Sequence, residues 1–324
     1  QTELNHFLQQ FHSPFMDEFM GLVSAMGYNS FLIMLAISIM IGYDLRKGFA
    51  LMHLILFTGL ISEILKSVFA YPRPVDVDSS LMKIGIENTG NSYGFLKMGA
   101  KGFFELLSPE VVNFFRNLSG YGHGIPSGHV AVTTTIWSAF SIFSGKKIVY
   151  YFSSFMIVLM VVSRMYLGRH FLADVTAGFA IGIVILMLFY YYFYRNGKFD
   201  EFFPLTVKIN FGLLSTLKYI YFFIFPLGVI LIPYAGIPLA SYIIAINLAY
   251  VFFNNSELPV FSNKFMNRVF RICISFAIFF FVKNMLDLAF PGDNSFLQFI
   301  KSFIPAFLMI YLTIKLSAKL KIAK

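Results

Sequence analysis

Long apolar runs, each closed by a short stretch holding charge, glycine or proline, dominate the chain from residue 26 onward. A helix needs about 20 mostly apolar residues to cross a hydrocarbon layer, so runs of that length are predicted as spans. Nine are found, at roughly 26-43, 49-70, 127-145, 148-167, 173-194, 214-233, 236-253, 267-288 and 297-315, with ends defined to a few residues. Residues 4-25 break the pattern, because His, Gln, Asp and Glu alternate there with Phe and Met. That mixture predicts an interfacial amphipathic helix and not a span. The fold class expected is therefore all-α, a polytopic membrane helical bundle of about nine transmembrane helices. It falls into an interfacial segment 1-25, a core 26-194, and a C-terminal group of about four spans over 195-324. Between the second and third spans lies the one long polar excursion, 75-125. Loops of that length in compact proteins usually carry function.

Composition strengthens the membrane reading. Only 13% of the 324 residues are charged and 58% are apolar, with 42 phenylalanines, where soluble chains carry about 25% charged residues. Mean hydropathy is +0.73. The single cysteine, Cys273, excludes an intrachain disulfide, a thiolate zinc site and two-cysteine redox chemistry. A net charge of +9 can signal nucleic acid, but the basic residues are scattered through short loops between apolar runs, so no nucleic-acid partner is expected. No basic stretch followed by a compact apolar core heads the chain, so no cleavable signal peptide is expected.

If the spans alternate, the loops 44-48, 144-148, 195-213 and 254-266 and the C-terminal tail share one face. That face holds fifteen of the 25 Lys and Arg, among them Arg46, Lys147, Arg195, Lys208, Lys218 and Lys319. The positive-inside rule makes it cytoplasmic, and the aromatic run at 189-194 before Arg195 suits a belt at the same interface. The N-terminus and the loop 75-125 are then outside, and the C-terminus inside.

Three short motifs fall at the outer ends of spans. Lys66 and Arg73-Pro74 end the second span, Pro126-Ser127-Gly128-His129 opens the third, and Ser163-Arg164, His170 and Asp174 cross the turn from the fourth to the fifth. Alternation puts all three at one depth on one face. Lys66, Arg73 and Arg164 supply three positive charges, and guanidinium forks match the oxygens of a tetrahedral anion. Ser127 and Gly128 stand where a helix begins, so the hydroxyl can cap while free N–H groups face an anion. His170 and Asp174, four apart, share a helical face on which the carboxylate can keep one ring nitrogen protonated and leave the other to attack. His129 is placed to donate a proton to a leaving oxygen. Taken singly, each fragment has a plainer reading: snorkelling cations, a helix start, a local hydrogen-bonded pair. Their order and common depth set them apart.

The fragments KSVFAYPRP, PSGH and SRMYLGRHFLAD resemble the three-part signature of the type 2 phosphatidic acid phosphatase family, which includes glucose-6-phosphatase and the vanadium haloperoxidases. The likeness covers roughly 49-194. It implies that His170 is a nucleophile forming a phosphohistidine, Asp174 its orienting partner and His129 the general acid. Lys66, Arg73, Ser127, Gly128 and Arg164 are implied to bind the phosphate, with no metal or other cofactor.

The function expected is a multi-pass plasma (inner) membrane phosphatase acting at the outer, periplasmic or lumenal face. Its substrate is a phospholipid or isoprenoid phosphate or diphosphate held among membrane lipids. Alternatives are a soluble sugar phosphatase, favoured by the nine-span count and by VKNMLDLAFP at 282-291, which resembles the penultimate span of glucose-6-phosphatase, or a lipid phosphotransferase using the same intermediate. A transporter is the non-enzymatic alternative, and it predicts charges near mid-span where these cluster at span ends. Glu63, one turn before Lys66, is expected to face the bundle interior and pair with that lysine. Lys283 and Asp287 are expected to form a local ion pair. His123 lies in a glycine-rich approach to the motifs, and Asn117-Leu118-Ser119 is a glycosylation sequon on the outer loop.

Overall fold

The computed structural model describes residues 2–85, 105–118, 121–199, 203, 216, 220–230, 236–254, 262, 264–292 and 294–322. Much of the loop 75-125, Ser119 of the sequon, Lys208, Lys218 and both ends of the expected span 214-233 lie outside the described residues. Within them all regular structure is helical and no strand occurs.

The helices are α1 (Thr2–Gln9), α2 (Pro14–Ala25), α3 (Asn29–Gly42), α4 (Leu45–Phe69), α5 (Pro74–Val77), α6 (Pro109–Arg116), α7 (Gly128–Ser144), α8 (Lys147–Tyr166), α9 (Leu172–Phe189), α10 (Phe225–Val229), α11 (Gly236–Asn254), α12 (Phe265–Ala289) and α13 (Ser295–Lys319). Among the described residues, five segments are long and apolar enough to cross a membrane: Leu45–Val77, Lys147–Tyr166, Leu172–Arg195, Phe265–Ala289 and Ser295–Lys319. Shorter apolar helices cover Phe31–Gly42, Ile220–Val229 and Gly236–Phe252. The protein is thus an all-helical membrane-type chain.

Local chemistry sets the helix starts. Ser13 accepts from Met16 N at 3.2 Å ahead of Pro14, and Asn294 Oδ1 accepts from Leu297 N at 2.9 Å. At the start of α9, Asp174 Oδ2 accepts from Phe171 N at 2.9 Å. Helix α7 ends at Gly145, whose φ of 64° is the left-handed conformation that stops a helix.

The chain divides into two compact units, residues 1–35 with 51–191 and residues 36–50 with 192–324. In the first, α7 packs on α8 and on α9. The α7–α9 contact depends on Gly178 and Gly182, four apart on α9. A β-carbon on Gly178 would stand 2.4 Å from Ser127 O, and one on Gly182 would stand 2.6 Å from Ala131 O. Only hydrogen at these positions lets the two backbones meet, as small residues do where helices associate in lipid. Thr135 bridges the seam, donating to Ala131 O at 3.0 Å and Gly182 O at 3.3 Å.

Helices α1 and α2 dock on α8 through polar groups. Asn5, fully buried, donates to Met165 O at 2.7 Å and His170 O at 3.1 Å. Gln9 donates to Tyr166 O and Met82 O, each at 3.0 Å, and accepts from Met82 N at 2.9 Å. Ser163 donates to Met20 O at 2.7 Å, and Tyr166 OH donates to Asp17.

In the second unit α13 packs on α11 and α12. Its buried cation, Arg271, donates to the carbonyls of Ile41, Gly42, Ser262 and Ile322 at 2.8–3.2 Å. Lys283 pairs with Asp287 at 3.4 Å as expected, and Lys301 reaches the same carboxylate at 3.4 Å.

Candidate active site

The three motifs meet in the first unit, around His170. This residue sits in the turn between α8 and α9 and is 2% exposed. Its Nδ1 donates to Asp174 Oδ2 at 3.3 Å. That bond assigns the ring proton to Nδ1 and leaves the Nε2 lone pair for chemistry. The same carboxylate oxygen accepts from Phe171 N, so Asp174 is fixed from two sides. Asn5 holds the carbonyl of His170.

Helix α7 enters this turn head-on, with Ser127 N donating to Asp174 O at 2.9 Å. Lys66, in the last turn of α4, reaches the same helix start. A β-carbon added to Gly128 would lie 3.5 Å from its ammonium nitrogen. Arg73 follows α4, and its backbone N–H donates to Tyr121 OH at 3.0 Å while that hydroxyl donates to Asp76. Gly124 lets the end of the long loop close over the site. A β-carbon there would lie 2.7 Å from Pro72 O and 3.0 Å from Asp174 Oδ2. Arg164, 1% exposed, donates from Nη1 to Ser24 Oγ on α2. His129 lies edge-on to Tyr28, with ring centroids 4.8 Å apart.

Electrostatics record the convergence. Burial first, then the charges of Arg164, Arg73, Lys66 and His129, hold the His170 imidazole well below the usual histidine range. His123 is shifted down as well, by burial and then by Lys66, Arg116 and Arg73. It therefore stands close to the cations, 5.3 Å centroid to centroid from Tyr121. Burial and the neighbouring Asp76 carboxylate raise the Tyr121 phenol, which keeps it a hydrogen-bond donor.

Two expectations change. The Ser127 hydroxyl does not cap α7: it is fully buried, with no hydrogen-bond partner among the described residues. Ser127 is instead held by its backbone, its N–H donating to Asp174 O at 2.9 Å and its carbonyl accepting from Ala131 N at 3.0 Å. Glu63 does pair with Lys66, at 2.7 Å, but its side chain is 54% exposed and does not face the interior. The i,i+3 spacing lets the carboxylate reach the lysine from the helix surface.

Several residues in the site were not picked out by motif. Asn5, Ser24, Tyr28 and Tyr121 touch the motif residues from elements far away in sequence, and Asp76, three residues after Arg73, holds the Tyr121 hydroxyl. For Asn5 a signal existed, because two amides at 5 and 9 fall on one face of a short helix among apolar residues.

Residues 47–198 match the family model of the PAP2 superfamily. This segment is a PAP2 superfamily domain. No curated protein and no solved structure matches the chain. All eight motif residues fall inside the PAP2 domain, whereas α1, α2 and α3, which supply Asn5, Ser24 and Tyr28 or their flanks, precede it. A PAP2 domain among membrane-length helices fits a membrane phosphatase.

Proposed function

We propose that the protein is an integral membrane phosphatase that removes the terminal phosphate of a lipid phosphate or lipid diphosphate through a phosphohistidine on His170. The observation that carries this reading is the convergence of Lys66, Arg73, Arg164 and His129 on a buried imidazole tied by Nδ1 to Asp174.

In this reading Lys66, Arg73 and Arg164 hold the non-bridging oxygens. The N-terminal N–H groups of α7 and the Ser127 hydroxyl add donors. Neutral His170 attacks through Nε2, so the N–P bond forms as the bond to the leaving oxygen breaks. His129, protonated, gives that oxygen its proton, and the alcohol departs. Water then attacks phosphorus, His129 takes a proton from it, and cleavage of the P–N bond returns imidazole and releases phosphate. Asp174 stabilises the positive ring during both steps. Charge on the phosphoryl group is met by side-chain cations, so no metal enters the scheme.

The five long apolar segments, the three shorter ones and α7 fit nine spans. Loop charge then favours a plasma-membrane protein with its N-terminus and site outside and its C-terminus inside. Motifs at span ends support a substrate presented at headgroup depth, which a lipid reaches by lateral diffusion. The test is phosphate release by detergent-purified protein, beside a His170→Ala control, from phosphatidic acid, phosphatidylglycerol phosphate, a polyprenyl diphosphate and glucose 6-phosphate. Release from a lipid, abolished in the control, is expected. Preference for the sugar phosphate, or release that survives the substitution, would refute the reading.

A further inference from the structure

Asp17, Gly21, Ser24, Ala25 and Tyr28 recur at helical spacing along α2 and the turn that follows it, and beside the bonds to α8 they wall a cavity of about 470 Å³, closed on the other side by Ile84, Gly85, Leu167 and Arg169. Its size falls within the range of small-molecule sites, about 300–1,000 Å³. The cavity touches the phosphate site at two points. Ser24 carries the Arg164 guanidinium, and the Tyr28 ring meets His129 edge-on at 4.8 Å. A phosphate held by Arg164, with its leaving oxygen towards His129, therefore has this cavity beside its ester bond.

We propose that the cavity seats the leaving group, the first carbons of the alcohol of a lipid phosphate. This inference rests on the phosphatase reading and adds where substrate selection is made. Three observations choose hydrocarbon over a polyhydroxy sugar. The wall is largely Gly, Ala, Leu, Ile and Tyr. Three of its four polar groups are engaged, Asp17 by Tyr166 and by His12 at 2.9 Å, Ser24 by Arg164, and Arg169 with Ile84 O at 3.5 Å, while the fourth, Glu18, is exposed. Its rim is apolar and open, with Leu22 64% and Tyr28 38% exposed, so a chain can run out over it. The wall is also held in place, because α2 is tied to α8 by the bonds from Ser163, Arg164 and Tyr166. This part of the cavity precedes the PAP2 domain in sequence.

Gly21 gives a clean test, since a β-carbon built there meets nothing within 4 Å. Gly21→Leu starts its side chain in open space and extends it into the cavity, and Ala25→Leu extends into it one turn further on. Dodecyl phosphate and ethyl phosphate are the probes, because their alcohols leave equally well and differ only in chain. Each buried methylene is worth roughly a factor of four, so displacing two or three should lower the dodecyl/ethyl ratio of kcat/KM by about tenfold or more in Gly21→Leu. Ala25→Leu is expected to lower it too, while Gly59→Leu, on α4 and also facing open space, keeps the wild-type ratio. A ratio unchanged in both cavity variants, or equal losses on the two esters, overturns the leaving-group seat even while His170→Ala remains inactive. Activity of His170→Ala on either ester would instead overturn the phosphatase reading and the seat with it.

Discussion

The contact most open to attack at this site is the one made by Asn5. Its single amide nitrogen satisfies two buried carbonyls, Met165 O at 2.7 Å and His170 O at 3.1 Å. Asn5→Ala leaves His170 O without its donor, whereas Met165 O keeps the N–H of Gly168 at 3.0 Å. An unpaired buried polar group costs about 1–3 kcal/mol. For a unit of this size each 1 kcal/mol corresponds to a fall in Tm of roughly 2–4 °C. The second effect is on chemistry. The His170 carbonyl is one of the restraints on the turn that aims the imidazole, and about 1.4 kcal/mol of lost alignment lowers kcat tenfold. Since the side-chain bonds of Asn5 go to Met165 O and His170 O and not to Lys66, Arg73 or Arg164, KM should move by less than about twofold while kcat falls about tenfold. Asn5→Asp should be worse than Asn5→Ala, because it turns an acceptor towards two carbonyl oxygens. The assay is steady-state phosphate release at 25 °C beside thermal unfolding in the same detergent. A variant that loses the expected thermal stability but keeps the wild-type kcat would refute a positioning role. One that loses neither would refute the contact itself.

Other outcomes can be measured on the same preparation. Burial and the charges of Arg164, Arg73, Lys66 and His129 hold His170 below 6.5, so its neutral form, and the activity and stability that depend on it, are present above 6.5 and lost only as pH falls through the lowered folded value. Lys66→Gln removes one cation and should shift the acid limb of kcat/KM upward in pH; a downward shift would contradict the electrostatic account. His129→Ala should nearly abolish hydrolysis of an alkyl phosphate yet spare p-nitrophenyl phosphate, whose leaving group needs no proton, and equal losses on both would remove His129 from the acid role. Gly182→Leu would drive a β-carbon to 2.6 Å from Ala131 O and cost about 1–3 kcal/mol or more by overpacking; size-exclusion profiles and unfolding curves identical to wild type would show that α7 and α9 need no close approach.

The membrane character, the all-helical class and the three motifs were legible in sequence, because each is written in local pattern. Apolar runs long enough to cross lipid can satisfy their backbone groups only as helices, and the spans expected at 49-70, 148-167 and 173-194 correspond to α4, α8 and α9. Lys283 and Asp287 are four apart on one helix, so their contact at 3.4 Å was implied by helical geometry alone. His170 and Asp174 meet at 3.3 Å as their spacing suggested, but His170 lies in the turn before α9 and not on a shared helical face. The Ser127 cap was inferred from the same kind of local rule and did not form; what holds Ser127 is a bond no local rule shows, from its N–H to Asp174 O 47 positions later.

What the tertiary structure alone decided is which distant segments touch. No spacing rule joins Asn5 to His170, Ser24 to Arg164, Tyr28 to His129 or Tyr121 to Arg73. Nor did the pattern reveal that Gly178 and Gly182 set the distance between α7 and α9, since a glycine in an apolar run looks the same whether it faces a neighbouring backbone or open space. Even the division of the chain, in which residues 36–50 go with 192–324, cuts across its linear order. The physical reason is common to all of these. Hydrophobicity and helix periodicity act along the chain and survive in any window of sequence, whereas close packing and buried hydrogen bonds depend on surfaces that exist only once the helices have met.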